Sequence, residues 1–158
     1  AVTVSDGKVG RWDATPLARA LKVGLLPVIY GDVVFDDARG GTILSTEDLF
    51  AYLAPRLEPQ RILLAGLEPG VWANYPACSR LVELITPQNY AEIAPAVFGS
   101  ASTDVTGGMA SKVAQALELV EQIPSLEVLI FSGDVPGSIQ RALAGSILGT
   151  RIRSNSRP

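Results

Sequence analysis

From Ala1 to Ser5 apolar and polar side chains alternate with the period of two that gives a strand one apolar face. Asp6-Gly7 follows as a turn pair and Val9 to Trp12 as a second short strand, so the two read as a hairpin. Asp13 or Thr15 can cap a short helix with Pro16 in its first turn, in which Leu17, Ala20 and Leu21 recur at helical spacing up to Gly24. Leu26 to Tyr30 and Val33 to Phe35 are short apolar stretches broken by Gly31-Asp32, and they predict one bent strand or two successive ones. Asp36 to Gly41 is a polar loop before Thr42 to Leu44. Ser45 starts a helix whose apolar positions are Leu49, Phe50, Leu53 and Leu57. Arg61 to Ala65 reads as a buried strand, Gly66 to Pro87 as loop with short elements, and Gln88 to Val97 as a weak helix. The strongest helical pattern runs from Met109 to Ile123, with Met109, Val113, Leu117 and Val120 on one face. Leu126 to Phe131 is the next strand, Gly137 to Leu143 a helix opened by Pro136, and Gly149 to Ile152 a last strand.

Strands alternating with helices predict an α/β layered sheet. A chain of 158 residues without repeat, linker or low-complexity segment fits one domain. Composition then removes whole classes of function. Apolar residues make up 47% and charged residues 18%, which excludes disorder as the main state. A net charge of −3 argues against a binder of nucleic-acid backbone. With no His, the chain holds no Ser-His-Asp triad, no imidazole base and no His metal ligand. The single cysteine, Cys78, excludes an internal disulfide and any Cys-x-x-Cys site, and reads as an incidental thiol. No apolar run approaches the ~18–20 residues of a membrane span, and no basic region leads into an apolar stretch, so a cytoplasmic protein with no membrane partner is expected.

In open α/β sheets ligands collect beyond the carboxyl ends of strands, where loops meet helix N-termini. Three segments fit. In Ala101 to Lys112, Gly107-Gly108 free the backbone to approach an anion just as a helix begins. Lys112 then lies in the first turn, where the macrodipole disfavours a cation by about 0.3–1 kcal/mol unless a negative group is near, and a phosphate would be that group. The competing reading is an ordinary turn and a solvated lysine, and neither a Walker loop nor a dinucleotide fingerprint is present. In Leu64 to Pro76, Pro69-Gly70 suits the centre of a type II turn, and Trp72 or Tyr75 either supports a planar base or covers a loop. The third segment joins Gly31-Asp32 to Ser45-Thr46-Glu47-Asp48, where the carboxylates either cap a helix or orient a catalytic lysine or a metal.

Taken together, Gly31-Asp32-Val33-Val34 with Asp36, Ile43-Leu44-Ser45 before an acidic pair, Asp104-Val105-Thr106-Gly107-Gly108-Met109 with Lys112, and Gly145 with Gly149-Thr150 resemble the amino-acid kinase superfamily, and within it the isopentenyl phosphate kinase branch. The Asp-Val-Thr-Gly-Gly-Met-x-x-Lys string is the most specific element, and the agreement extends over nearly the whole chain. The resemblance implies a three-layer αβα sandwich of the carbamate kinase-like type with a mainly parallel sheet. It also implies that residues 1–158 are the C-terminal, ATP-binding lobe of a two-lobed kinase whose substrate lobe lies outside this chain.

The implied reaction is transfer of the ATP γ-phosphoryl group to isopentenyl phosphate by the complete protein, the lobe alone being inactive. ATP and Mg²⁺ are the implied cofactors, a small-molecule phosphate acceptor the partner, and a homodimer the assembly to be tested. By resemblance Lys112 and Glu47 are catalytic, Lys112 offsetting charge on the transferring group and Glu47 orienting cations. Gly66, Leu67, Gly70, Trp72, Gly107, Gly108 and Lys112 would bind ATP, and Gly31, Asp32, Ser45 and Thr46 the acceptor. The chain departs from the family pattern at three of these positions. Leu67 replaces an Asp that would contact ATP, Glu47 is one methylene longer than the usual Asp, and Thr46 stands where glycine is common. A sibling kinase with another acceptor, such as a uridylate-type enzyme, and a non-catalytic nucleotide-binding module are the alternatives.

Overall fold

The structure is a computed structural model that describes residues 2–99 and 108–155. They divide into two compact units, Ala1–Leu57 and Glu58–Pro158.

The first unit consists of β1 (Val2–Ser5), β2 (Lys8–Trp12), α1 (Thr15–Lys22), β3 (Val33–Asp36), β4 (Gly40–Ile43) and α2 (Thr46–Leu57). Its sheet has the order β2-β1-β3-β4, in which β1/β2 and β3/β4 are antiparallel hairpins and β1/β3 is parallel. One face is packed: Val4, Leu44 and Leu49 form a buried cluster against which Val2, Val9, Trp12, Ile29 and Val34 lie. Tyr52 of α2 fastens this face to β2, because its hydroxyl accepts the Trp12 N–H and donates to the Trp12 carbonyl, each at 3.0 Å.

Three expectations are corrected in this unit. Neither Asp13 nor Thr15 occupies the N-cap of α1; Ala14 does, without a side-chain cap, and the Asp13 carboxylate accepts the Thr15 N–H at 3.0 Å from outside the helix. Leu26 to Tyr30 is not a strand, and the polar loop before β4 shrinks to residues 37–39 because β4 begins at Gly40.

The second unit consists of β5 (Arg61–Gly66), β6 (Leu84–Ile85), α3 (Tyr90–Gly99), α4 (Gly108–Gln122), β7 (Glu127–Ser132), α5 (Ser138–Leu143) and β8 (Thr150–Arg153), with sheet order β5-β7-β8-β6. The Val-Leu-Ile-Phe run of β7 is buried throughout, as a strand covered on both faces requires. Leu129 and Phe131 pack on Ala142 of α5, while the alternate residues Val128 and Ile130 are equally buried. The long helix α4 lies against β7 and β8 through a face that includes Val113, Ala116, Leu117 and Val120, close to the expected stripe.

The α/β class holds, whereas the mainly parallel sheet does not. Of the six strand pairings among the described residues, β1/β3, β5/β7 and β6/β8 are parallel and the other three antiparallel. The first-unit hairpins explain two of the antiparallel pairs, since a tight turn can only return a strand alongside its predecessor. None of the helices in the described residues is long and apolar enough to cross a membrane.

Candidate functional site

In the first unit the folding of the β3–β4 hairpin brings Gly31-Asp32 beside Leu44-Ser45. The Leu44 N–H donates to the Asp32 carbonyl at 3.0 Å, and a Cβ on Gly31 would collide with the Leu44 carbonyl oxygen and stand 2.9 Å from the Ser45 carbonyl carbon. Only glycine fits where the two backbones meet. The Asp32 carboxylate accepts the N–H of its neighbour Val33 at 2.7 Å.

Ser45 and Asp48 form a reciprocal cap on α2. Ser45 Oγ donates to Asp48 Oδ2 at 2.8 Å and accepts the Asp48 N–H at 3.1 Å, while the Ser45 N–H donates to the same carboxylate oxygen at 2.9 Å. Of the acidic pair, Asp48 is therefore the capping residue, and Glu47 sits half-buried in the same first turn beside exposed Thr46. Both carboxylates also favour the positive end of the helix macrodipole.

Asp36, at the end of β3, plays a structural part that its place in the resemblance did not disclose. Its Oδ1 accepts the N–H groups of Asp6, Ala38 and Arg39 at 3.0, 2.8 and 2.9 Å, and its Oδ2 accepts that of Gly7 at 2.6 Å. One carboxylate thus ties the β1–β2 turn to the β3–β4 turn. Burial pushes this carboxyl up, and the N–H bonds from Gly7, Arg39, Ala38 and Asp6 outweigh it, lowering it from 3.8 to about 2.

In the second unit, β5 and β7 run parallel in register from Arg61/Glu127 to Gly66/Ser132, and the Gly133 N–H donates to the Gly66 carbonyl at 2.8 Å. Gly66 therefore closes the strand at its carboxyl end, and Leu67, 80% exposed, begins the loop beyond it. The expected type II turn at Pro69-Gly70 is absent. Gly70 has φ 158° rather than the ~+80° that turn requires, and its glycine has another cause: an added Cβ would stand 2.7 Å from Thr150 Oγ1 and 3.1 Å from the Thr150 nitrogen. Trp72 is half-buried, bridged to Leu81, with its indole N–H donating to Glu68 Oε2 at 2.8 Å. The loop from Gly66 to Trp72 is thus anchored at both ends while Leu67 faces solvent.

The other part of the second-unit site is the start of α4. Gly108 is its first residue and is buried with φ +61°, a conformation that suits glycine. The helix begins one residue earlier than the apolar periodicity indicated, so half-buried Lys112 is its fifth residue rather than a member of the first turn. Its Cα–Cβ bond tilts toward the N-terminus in any case, the end where the first N–H groups lack intrahelical partners. Asp104, Val105, Thr106 and Gly107 lie outside the described residues. Among the described residues no group of three or more Asp, Glu or Cys side chains is gathered as metal ligands would be.

Sequence reasoning anticipated the helix start at Ser45 and singled out Gly31, Gly70 and Gly108, where the structure gives glycine a steric or backbone cause. It missed Thr150 as the group that fixes the loop, for which the Gly149-Thr150 pair was the available signal.

The chain is 35% identical over 152 residues to the isopentenyl phosphate kinase of Methanothermobacter thermautotrophicus, covering 92% of this chain and 55% of that protein. It is 38% identical over 133 residues to the isopentenyl phosphate kinase of Haloferax volcanii, covering 84% and 48%. It therefore spans about half the length of the curated relatives it matches. An X-ray structure of isopentenyl phosphate kinase superposes with a TM-score of 0.75 at 30% identity, over 96% of this chain and 55% of that one. Carbamate kinase from Giardia, at 17% identity over 94% and 52% with a TM-score of 0.64, shares the fold. The profile of the amino acid kinase family matches residues 2–132, and the chain belongs to that family.

Proposed function

We propose that this chain is the nucleotide-binding lobe of an ATP-dependent small-molecule kinase whose acceptor is isopentenyl phosphate. The observation that carries the reading is its likeness to isopentenyl phosphate kinases, 33–38% identical in three archaeal relatives over 84–92% of this chain. The second unit supports the ATP part, because it contains both a strand-end loop, Gly66 to Trp72, and a helix opened by a left-handed glycine with Lys112 as its fifth residue.

In this reaction a phosphate oxygen of isopentenyl phosphate bonds to the γ-phosphorus of ATP as the bond from that phosphorus to the bridging oxygen of ADP breaks. The products are isopentenyl diphosphate and ADP. Little covalent work falls to the protein, since positioning and charge compensation dominate phosphoryl transfer, and a chain without imidazole can supply both. The backbone at Gly107-Gly108 and the start of α4 would bind phosphate oxygens, Lys112 would offset charge on the transferring group, and Gly66, Leu67, Gly70 and Trp72 would border the nucleotide. In the first unit Gly31, Asp32, Ser45 and Thr46 would border the acceptor and Glu47 would orient cationic groups. The Ser45 hydroxyl and N–H are both committed to Asp48 and its carbonyl accepts the Leu49 N–H, so Ser45 would act on the acceptor by fixing the start of α2. The described residues offer no protein cage for a divalent cation. Mg²⁺ would be carried on the nucleotide's phosphate oxygens, where it supplies charge compensation. The site is read as cytoplasmic.

Calorimetric titration of the chain with Mg-ATP, followed by a γ-phosphoryl transfer assay with isopentenyl phosphate, UMP and glutamate on the complete kinase, tests the proposal. Saturable ATP binding and a preference for isopentenyl phosphate support it, and no ATP binding overturns it. Exposed Leu67, in place of the acid expected by resemblance, favours one second reading, a nucleotide-binding module without turnover. Binding without transfer to any acceptor would establish that module.

A further inference from the structure

In the second unit the carboxyl ends of β5 and β7 lie side by side. Gly66 stands opposite Ser132 in the parallel register, and the Gly133 N–H extends the pairing by donating to the Gly66 carbonyl at 2.8 Å. A Cβ on Gly133 would stand 3.3 Å from Ala65 Cβ, so the chain leaving β7 stays close to β5 for one residue beyond the strand. Leu67-Glu68 and Gly133-Asp134 therefore leave the sheet as neighbouring loops. The start of α4 belongs to the same end. Residues 123–126 turn the chain from α4 into β7, with the Leu126 N–H donating to the Ile123 carbonyl at 2.9 Å, and α4 packs on β7 and β8. A helix of 15 residues spans about 22 Å and a strand of 6 about 20 Å, so a strand folded back along that helix ends level with the helix's first turn.

The two acids that follow the strands differ in what they already hold. Glu68 Oε2 accepts the Trp72 indole N–H at 2.8 Å. Asp134 is exposed, and its backbone N–H donates to Ser132 Oγ at 3.3 Å, but among the described residues its carboxylate has neither a hydrogen-bond donor nor a cation. Leu67 beside it offers no polar atom. Both Asp134 oxygens are thus ready to accept. Against a nucleoside triphosphate whose phosphates lie at the positive end of α4, this carboxylate repels the phosphate oxygens, and the donors left to it are the sugar hydroxyls and the amino group of the base. Two adjacent hydroxyls match the two oxygens of one carboxylate, each as a charge-assisted hydrogen bond. We infer that Asp134 receives the 2′- and 3′-hydroxyls of the ribose and makes the site select a ribonucleoside triphosphate over its deoxy counterparts. The inference rests on the reading of this unit as an ATP-binding lobe, and it names the part of ATP that the end of β7 recognises.

The test titrates the chain calorimetrically with the Mg²⁺ complexes of ATP, 2′-deoxy-ATP and 3′-deoxy-ATP, in the parent, Asp134→Ala and Asp134→Asn. The parent should prefer ATP over either deoxy analogue by at least about fivefold, the equivalent of one hydrogen bond to a charged group. In Asp134→Ala ATP binding should weaken by at least about tenfold and the preference should fall to about one, while Asp134→Asn, which keeps one acceptor oxygen, should fall between. The melting temperature should be the same in all three proteins, because the carboxylate is exposed and holds nothing in the fold. A parent that binds ATP without discrimination, a preference that survives in Asp134→Ala, or equal weakening of all three nucleotides overturns the inference and leaves the ATP reading standing. A parent that binds none of the three nucleotides overturns the ATP reading, and this inference with it.

Discussion

Thr150 holds Val71 in place: its Oγ1 accepts the Val71 N–H at 2.8 Å and donates to the Val82 carbonyl at 2.6 Å, with the residue fully buried. The first residue of β8 thereby sets the backbone of the Gly66–Trp72 loop and of the returning segment at once. Replacing Thr150 by Val keeps the shape but leaves a buried N–H and a buried C=O unpaired, which costs about 2–3 kcal/mol. Thr150→Ser retains both bonds and should lose about 1 kcal/mol through the missing methyl group. Urea unfolding of the two variants checks the order, and equal losses would show that packing rather than hydrogen bonding governs the position.

Gly149, just before it, is constrained more severely. Its φ is +74°, and an added Cβ would collide with the carbonyl oxygens of Pro69 and Ile130 and stand 3.2 Å from Phe131 Cα. All three obstacles are backbone, so none can swing aside. Gly149→Ala should destabilise the chain by about 2–4 kcal/mol, read from the urea midpoint at unchanged slope.

The Asp36 carboxylate makes the first unit sensitive to acid. Its folded value, about 2, lies below the unfolded 3.8, so its contribution to stability is complete above about pH 4 and disappears as pH falls through about 2. Asp36→Asn replaces an acceptor oxygen with an amide that cannot receive those N–H groups, and should lower the melting temperature at pH 7. Between pH 4 and pH 2 the variant should lose less stability than the parent. Parallel curves for the two proteins across that window would assign the acid sensitivity to other carboxylates.

These contacts show which parts of the fold could be read from the chain. Met109, Val113, Leu117 and Val120 fall on one helical face, and the apolar run of β7 is its own signal, so α4 and β7 emerge from periodicity alone. Leu26 to Tyr30 is as apolar as a strand, yet pairing needs a second backbone, which an apolar run does not specify. Pro69-Gly70 has the composition of a type II turn, but Thr150, remote in sequence, decides its geometry. Asp36 is opaque for the same reason, since two of its four donors belong to the Asp6-Gly7 turn. At the candidate site Gly31 and Gly70 have a steric cause in close neighbours and Gly108 a conformational one in its positive φ, none of which spacing alone discloses. The functions of Lys112 and Glu47 depend on neighbours that spacing does not reveal.

Ser45 separates capping from acceptor binding. Ser45→Ala removes the hydroxyl from the α2 cap and should cost about 1 kcal/mol. Ser45→Asn, which restores a capping oxygen, should recover most of it. Mg-ATP affinity should be the same in both variants, as measured by calorimetry, because the cap acts on the first unit; a parallel fall in affinity would give the hydroxyl a nucleotide-linked task as well.

Lys112 is the most direct test of the nucleotide reading. Lys112 is half-buried and lies beyond the first turn of α4, where the macrodipole acts most strongly, so removing it should change folding stability by no more than about 1 kcal/mol. If the same ammonium offsets phosphate charge, Lys112→Ala should weaken Mg-ATP binding at least tenfold, about 1.4 kcal/mol, while AMP, which lacks the β- and γ-phosphates, is affected less. Lys112→Arg retains the charge but changes its geometry and should fall between the parent and the alanine variant. Calorimetric titration with ATP, ADP and AMP, set beside thermal unfolding of each variant, resolves the two contributions. Equal affinity for ATP in the parent and in Lys112→Ala would exclude this lysine from phosphate binding and leave it a role in the packing of α4 alone.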